Sequence, residues 1–353
     1  MTSAAKRILD TRPVAAAAPC RVDLGGTLDI KTFFLPLAVH APATFNIALG
    51  LPTRVCLYPY QDGYVKVTSR GFESVAFPLA EAPFDHPLGL IFAILSFFNM
   101  AGIHVDIDST SPPRAALGGS SAAAVALIAA LQSVQAACEG HPLEYDRNDI
   151  VLTAHAVEES VASVPCGLQD HLAAAFGGVN AWYWKFSGGR PAFIKKNLLH
   201  KTDAGFLEDR FLLAYCGMPH ESKDINGKWV RHFLKGENRG IWQDIIETTE
   251  SFIQHFAAGD TKQAIAAMNR EVDLRKQMTP EVFDDMGNSL VACARACQCG
   301  ARFTGAGGGG CVWALGEPGD IDRLRREWQN ILSRHKQACL LDARVDWQGA
   351  TGA

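Results

Sequence analysis

No long block of lysine and arginine appears anywhere in the sequence, and 33 basic residues against 37 acidic ones leave a formal net charge of −4. A nucleic-acid scaffold normally shows a basic excess, so that class is set aside. Cysteine is too sparse for a disulfide scaffold, at ten in 353 residues. Cys293, Cys297 and Cys299 cluster as Cys-x3-Cys-x-Cys, with no second ligand pair at zinc-finger spacing, and free thiols in a reducing cytosol are the plain reading. Met1 to Ala17 lacks the Leu/Ile/Val core of a secretory signal. The most apolar window, Leu88 to Met100, is shorter than the roughly 20 residues that span a bilayer and reads as a buried helix. No internal repeat of about 20–50 residues is present. These absences predict a soluble, cytoplasmic protein with no nucleic-acid or membrane partner.

What remains is ordinary globular material, 48% hydrophobic and 20% charged, and long enough for two domains or one large one. Residues 1 to about 14 read as a loose tail. Strands are predicted at Val14–Leu24, Arg54–Tyr60 and Tyr64–Ser69, with Gln61-Asp62-Gly63 as a hairpin turn. A helix over His86–Gly102, a strand over His104–Asp108 and helices over Ser120–Cys138, Asn148–Val161 and Gly167–Phe176 follow, then a strand over Val179–Trp184. Strands and helices do not alternate regularly, which excludes a doubly wound sheet. The segment Ser187 to Gly205 is the predicted boundary. Beyond it come a strand at Phe211–Tyr215, helices over 221–236, 240–258, 260–277 and 280–298, strands near 301–304 and 310–315, a helix over 319–336 and a strand near 338–346. The tail from Gln348 reads as disordered.

Four segments carry chemistry. In Ala18-Pro-Cys-Arg-Val-Asp-Leu-Gly-Gly-Thr-Leu-Asp29 a strand delivers Arg21 and a glycine turn leads to Asp29, placed either to accept bonds from hydroxyls or as a solvated turn residue. In Ser111-Pro-Pro-Arg-Ala-Ala-Leu-Gly-Gly-Ser-Ser-Ala122, Ser120 or Ser121 is a plausible N-cap. The helix it opens would aim free N–H groups and its positive dipole end at the loop, an anion site suited to phosphate; a well-capped core helix explains the same residues. Walker-type Gly-x4-Gly-Lys-Ser/Thr is absent. In Glu158-Glu-Ser-Val-Ala-Ser-Val-Pro-Cys-Gly-Leu-Gln-Asp170-His, Asp170 falls in the first turn of a helix, where an anion is favoured, and a nearby Arg21 would favour it further. Helix capping and surface charge are the alternative there. The fourth segment, Ala301-Arg-Phe-Thr-Gly-Ala-Gly-Gly-Gly-Gly-Cys311, has five glycines in six residues. Ordering it costs so much entropy that close approach to a ligand or another loop explains it better than ordinary packing.

In this order and at these spacings the four segments resemble the GHMP kinases, over about residues 15–345. Pro112–Ala122 resembles the family's phosphate motif and Thr304–Gly310 its glycine-rich motif. Ala18–Asp29 and Gly167–Asn180 resemble the sugar-kinase branch of galactokinases, fucokinases and heptose kinases. The resemblance implies an α+β chain in two domains, residues 15–200 like part of a ribosomal protein and 205–346 ferredoxin-like. ATP and Mg2+ would lie between them. By position it implies Asp170 as catalytic base with Arg21 as its charge partner. Leu117, Gly118, Gly119, Ser120, Ser121, Ala122, Gly307 and Gly308 would hold the nucleotide. Ser121 and Glu158 would hold the metal, and Asp29, Gly26, Gly178 and His220 the sugar. The chain departs from the pattern at Arg114 and Ala116, where glycines are usual, and at His171, where glutamine is usual. The implied activity is phosphoryl transfer from ATP to the anomeric hydroxyl of a monosaccharide, by a monomer or homodimer. A kinase of a non-sugar alcohol and a non-catalytic ligand-binding relative are the alternatives.

Overall fold

The computed structural model describes residues 3–140, 145–162, 165–217 and 225–352. The first half runs α1 (Ser3–Thr11), β1 (Val14–Leu24), α2 (Lys31–Phe34), β2 (Ala43–Pro59), β3 (Tyr64–Ser69), β4 (Val75–Pro78), α3 (Gly89–Phe97), β5 (Ile103–Ser109), α4 (Gly119–Glu139), α5 (Arg147–Val161), α6 (Gln169–Phe176), β6 (Val179–Ser187) and β7 (Arg190–Leu199). The second half runs α7 (Gly205–Glu208), β8 (Phe211–Tyr215), α8 (Ile225–Leu234), α9 (Arg239–Ala257), α10 (Thr261–Met278), α11 (Asp285–Ala296), β9 (Gly300–Phe303), β10 (Cys311–Leu315), α12 (Pro318–Leu332), β11 (Cys339–Leu341) and β12 (Thr351–Gly352).

The first sheet is organised by the seventeen residues of β2. One edge of β2 pairs with β1. Its other edge forks, with Ala43–Ile47 bonded to β6 and Thr53–Pro59 to β5. A register shift at Pro19/Cys20 lets β1 follow the bend. Gln61-Asp62-Gly63 turns the chain but makes no hairpin, because β5 lies between β2 and β3, antiparallel to the first and parallel to the second. A parallel neighbour needs a crossover, and α3 supplies it. The second sheet, in the order β11-β8-β10-β9, is antiparallel throughout.

Helix α4 lies inside the fold. Every residue from Ser121 to Leu131 is buried, so the helix is apolar all round, as an enclosed helix must be. It is long and apolar enough to cross a membrane, yet 67% of its apolar window is covered by the rest of the protein.

Several sequence expectations change. The N-terminal tail is helix α1, whose Ala5 and Leu9 are buried. The helix predicted over His86–Gly102 is confined to Gly89–Phe97. The predicted boundary Ser187–Gly205 is mostly strand β7, turned back onto β6 by Gly188-Gly189, both at positive φ. The helix predicted over 280–298 begins with a separate 3-10 turn, and α11 starts afresh where the Asp284 carboxylate accepts the Gly287 N–H at 2.7 Å. The tail from Gln348 is ordered: the Ala350 N–H donates to the Ala175 carbonyl and β12 pairs with β1.

Candidate active site

The loop before α4 holds an unusual backbone. Arg114 and Ala116 have φ of 56° and 59°, and Gly118 has 73°. The left-handed region costs an ordinary residue about 1–2 kcal/mol, so surrounding contacts must hold the loop in place. The Arg21 N–H donates to the Leu117 carbonyl at 2.9 Å, and Arg21 Nη1 to the Ala116 carbonyl at 2.8 Å. From the other side the glycine-rich loop presses in: a side chain on Gly310 would lie 2.6 Å from the Ala115 oxygen. The predicted close approach of that loop is therefore an approach to the loop before α4. Gly118, rather than a serine, is the N-cap of α4. The Ala122 N–H makes the first helical bond, to the Gly118 carbonyl. The N–H groups of Gly119, Ser120 and Ser121 precede it and form the open, positive end of the helix.

Beside this end lies a cleft of about 230 Å³, lined among others by Arg21, Thr27, Asp29, Gly118, Ser121, Glu158, Gln169, Asp170, Asn226, Gly305 and Ala306. A larger cavity of about 530 Å³, between β2, β8, α12 and residues 340–347, contains none of the predicted residues. Asp170, in the first turn of α6, is gripped by Arg21 through two parallel bonds, Nε to Oδ1 at 2.7 Å and Nη2 to Oδ2 at 2.9 Å. Arg21 is 4% exposed, whereas the Asp170 side chain keeps 23% of its surface open. Burial works against the Arg21 charge, but Asp170 and Asp23 outweigh it and hold its pKa above the usual value.

Ser121 and Glu158 meet at the cleft, the hydroxyl donating to Glu158 Oε2 at 3.2 Å. His171 Nε2 lies 2.7 Å from the same oxygen, off the line of a hydrogen bond. Burial favours a neutral carboxyl at Glu158, but the adjoining imidazole and hydroxyl overcome it and hold its pKa below the ordinary value. The reciprocal effect raises His171 against its own burial. Asp29 Oδ2 accepts the Gln169 N–H at 2.9 Å. Its burial, with Asp170 and Asp23 nearby and despite that bond, pushes its pKa up to about 7. Burial raises the Cys166 thiol well above its usual range, which removes it as a nucleophile.

The cleft floor continues into a buried charge network that sequence reasoning missed. Arg302 Nη1 donates to Asp23 Oδ2 at 3.1 Å and its Nε to Glu271 Oε2 at 2.9 Å. Arg275 Nε donates to Glu271 Oε1 at 2.9 Å, and its other nitrogens reach Thr27 Oγ1 and the Gly26 carbonyl. The Arg275 guanidinium lies 4.8 and 4.9 Å from the Trp229 and Trp242 rings. The Gly305 N–H donates to Asp23 Oδ1 at 2.7 Å. These bonds tie the second sheet and its helices to the turn after β1. Asp23 and Arg302 lie 279 residues apart, beyond any spacing signal; Glu271 and Arg275 carried a local one, an i,i+4 pair of opposite charge on α10.

Of the predicted residues, Arg21, Asp29, Gly118, Ser121, Glu158 and Asp170 line one cleft. Gly119 and Ser120 flank it at the helix end. Leu117 and Ala122 point into the core, 2% and 0% exposed. Gly26 spends its carbonyl on Arg275. Gly178 spends its N–H on Asp346 and its carbonyl on Ala48, away from the cleft. Gly307 and Gly308 back onto the 280–282 turn, the Gly308 N–H donating to the Val282 carbonyl, and their loop reaches the cleft through Gly305 and Ala306. His220 lies outside the described residues.

An open helix end, an arginine-gripped aspartate and a serine–glutamate pair thus surround one cleft. Residues 88–178 match the family model "GHMP kinases N terminal domain" and residues 253–334 match "GHMP kinases C terminal". The chain is 24% identical to a mevalonate kinase of Thermococcus onnurineus, across 86% of this chain and 89% of that one. It is also 24% identical to a galactokinase of Thermococcus kodakarensis, across 67% and 71%. Its fold superposes on that of Lactococcus lactis galactokinase complexed with galactose with a TM-score of 0.72, covering 96% of this chain and 95% of that one at 15% identity. The chain belongs to the GHMP kinases. It has their α+β architecture, and its relatives phosphorylate alcohols of more than one kind.

Proposed function

We propose that the chain transfers the γ-phosphoryl group of ATP to a hydroxyl of a monosaccharide, the anomeric one of a galactose-, fucose- or heptose-type sugar. The observation that carries this reading is the Arg21–Asp170 pair opening into the same cleft as the N-terminal end of α4. Phosphoryl transfer is chiefly positioning and charge neutralisation. The N–H groups of Gly119, Ser120 and Ser121 receive phosphate oxygens. Asp170 receives the acceptor hydroxyl as hydrogen-bond donor and takes up its proton as the new O–P bond forms and the bond from the γ-phosphorus to the β-bridging oxygen breaks, with ADP leaving. Arg21 fixes the plane of the Asp170 carboxylate and leaves its exposed side to the substrate.

The donor set fits Mg2+. Ser121 and Glu158 offer hard oxygens side by side, and no group of three or more His, Cys, Asp or Glu side chains forms a cage among the described residues. Mg2+ commonly takes one or two carboxylates and completes its shell with phosphate and water. Ser121 and Glu158 would hold it, and it would neutralise phosphate charge. All ten cysteines are free, in keeping with a reducing, cytoplasmic setting.

ADP release over a panel of sugars and other alcohols tests the proposal. Turnover of a sugar supports it. Turnover of mevalonate alone favours a non-sugar alcohol, the second reading, which the long alignment with mevalonate kinases supports. ATP binding with no turnover of any acceptor favours a ligand-binding relative.

A further inference from the structure

We infer that His171 is a positioning residue for the metal: through Nε2 it holds one oxygen of Glu158 and leaves the other turned to the cleft. This rests on the kinase reading above and deepens its metal site.

Packing alone gives little reason for this imidazole. His171 is 0% exposed on α6, and neither ring nitrogen has an aligned hydrogen-bond partner. Buried polar atoms left so are costly, and the position calls for a reason other than stability. Nε2 lies 2.7 Å from Glu158 Oε2. Two bare acceptors would repel at that distance, so Nε2 carries a hydrogen, whether the ring is neutral or charged. Hydrogen bonds in an unliganded site are often poorly aligned and tighten once the site fills. Ser121 donates to the same Oε2 at 3.2 Å, and Oε1 accepts no hydrogen bond among the described residues. Glu158 lines the cleft and its side chain keeps 17% of its surface open, so Oε1 is the oxygen left for a cation. Ser121 would turn its own oxygen to the metal, which leaves His171 as the fixed holder of Glu158. The ring cannot swing away. It is enclosed on α6, and the His155 ring packs edge-on against it at 5.7 Å, itself beside the Cys166 carbonyl. A ligand oriented by a fixed neighbour has less freedom to lose on binding metal.

The experiment measures Mn2+ binding to the protein–ADP complex by electron paramagnetic resonance of the free ion, with ADP affinity measured separately without metal. Two substitutions tell the ring nitrogens apart. The amide nitrogen of glutamine falls near the place of Nε2, that of asparagine near the place of Nδ1. His171→Asn should weaken Mn2+ binding roughly 10–100-fold, the usual loss when the partner of a metal ligand is removed, while His171→Gln stays within about threefold of wild type. Metal-free ADP affinity should change in neither. A merely structural role would lower the thermal stability of both variants without separating their Mn2+ affinities. Equal Mn2+ affinity in the two variants, or wild-type affinity in His171→Asn, overturns the inference and leaves the kinase reading standing. If His171→Asn does not fold, NMR of the imidazole nitrogens in the wild-type chain decides, with the His171 signals assigned by their loss in His171→Gln. Adding Mg2+ to the ADP complex should move Nε2 more than Nδ1; equal shifts, or none, overturn the inference. A wild-type chain that binds ADP but no Mn2+ overturns it together with the metal assignment. Failure to bind ADP at all defeats the kinase reading and the inference with it.

Discussion

Arg21 and Asp23 lie two residues apart on β1, on one face of the strand, and each meets opposite charge in a different setting. The Arg21–Asp170 pair opens to the cleft through an Asp170 side chain with 23% of its surface exposed. Asp23, Arg302, Glu271 and Arg275 are all at 0%. Arg302 and Asp23 are further linked to the open pair by the 3.7 Å contact of Arg21 with Asp23. Equivalent chemistry thus serves two ends. The open carboxylate keeps a side that water reaches, the side on which the proposed acceptor would bind. The sealed carboxylates keep none, and their bonds fix the second sheet against the turn that carries Asp29.

The strongest way to break this comparison is at its open end. Asp170→Asn should lower kcat by about 10²–10⁴-fold, the usual worth of a general base, with ATP affinity largely kept. Turnover near wild type would show that the open pair is structural, like the sealed one. At the sealed end, Arg302→Met leaves Glu271 and Asp23 short of a partner and should cost about 3–5 kcal/mol of stability in chemical denaturation. That loss should exceed the one from Asp170→Asn, where cleft water reaches the altered side chain. Asp29 sharpens the contrast, being buried without a cation of its own. Its pKa near 7 exceeds that of the unfolded chain, so the unfolded state releases this proton first as pH rises. Its contribution therefore erodes stability from about pH 4 to about pH 7 and levels off above, by up to roughly 4 kcal/mol. Asp29→Asn should flatten the stability profile across that window; an unchanged slope would exclude Asp29 as its source. The smallest effect is expected at the loop that frames the open pair. Ala116→Gly relieves a left-handed alanine and should raise stability by less than about 1 kcal/mol, glycine's extra entropy cost offsetting part of the gain. A fall in stability would mean that the methyl's packing against the glycine-rich loop outweighs the strain.

Local signals were legible where one element carried them alone. The Ala-rich run after Ser121 marked α4 to within a residue at each end, because an enclosed helix is apolar at every position. Arg21, Asp29, Ser121, Glu158 and Asp170 could be picked out because each stands in or beside a turn or helix end with recognisable residue types. Pairing partners were not legible. The insertion of β5 between β2 and β3 depends on a crossover through α3, and the turn at Gln61-Asp62-Gly63 looks the same whether its strands pair or part. Strand β7 fell inside the predicted boundary because Ser187 to Gly205 is rich in glycine, lysine and turn residues, which hides the strand. The glycine-rich loop was legible as a close approach but not in its detail: Gly307 meets the 280–282 turn, and Gly305 and Ala306 are the residues of the loop that line the cleft.

The chain of contacts Asp170–Arg21–Asp23–Arg302–Glu271–Arg275 alternates sign along its whole course, with three guanidinium groups balancing three carboxylates. Neutrality belongs to the set and to no single pair within it. In a diverging lineage, replacing one member strands its neighbour, so these six positions should drift together or not at all. The surface residues around them remain free to wander.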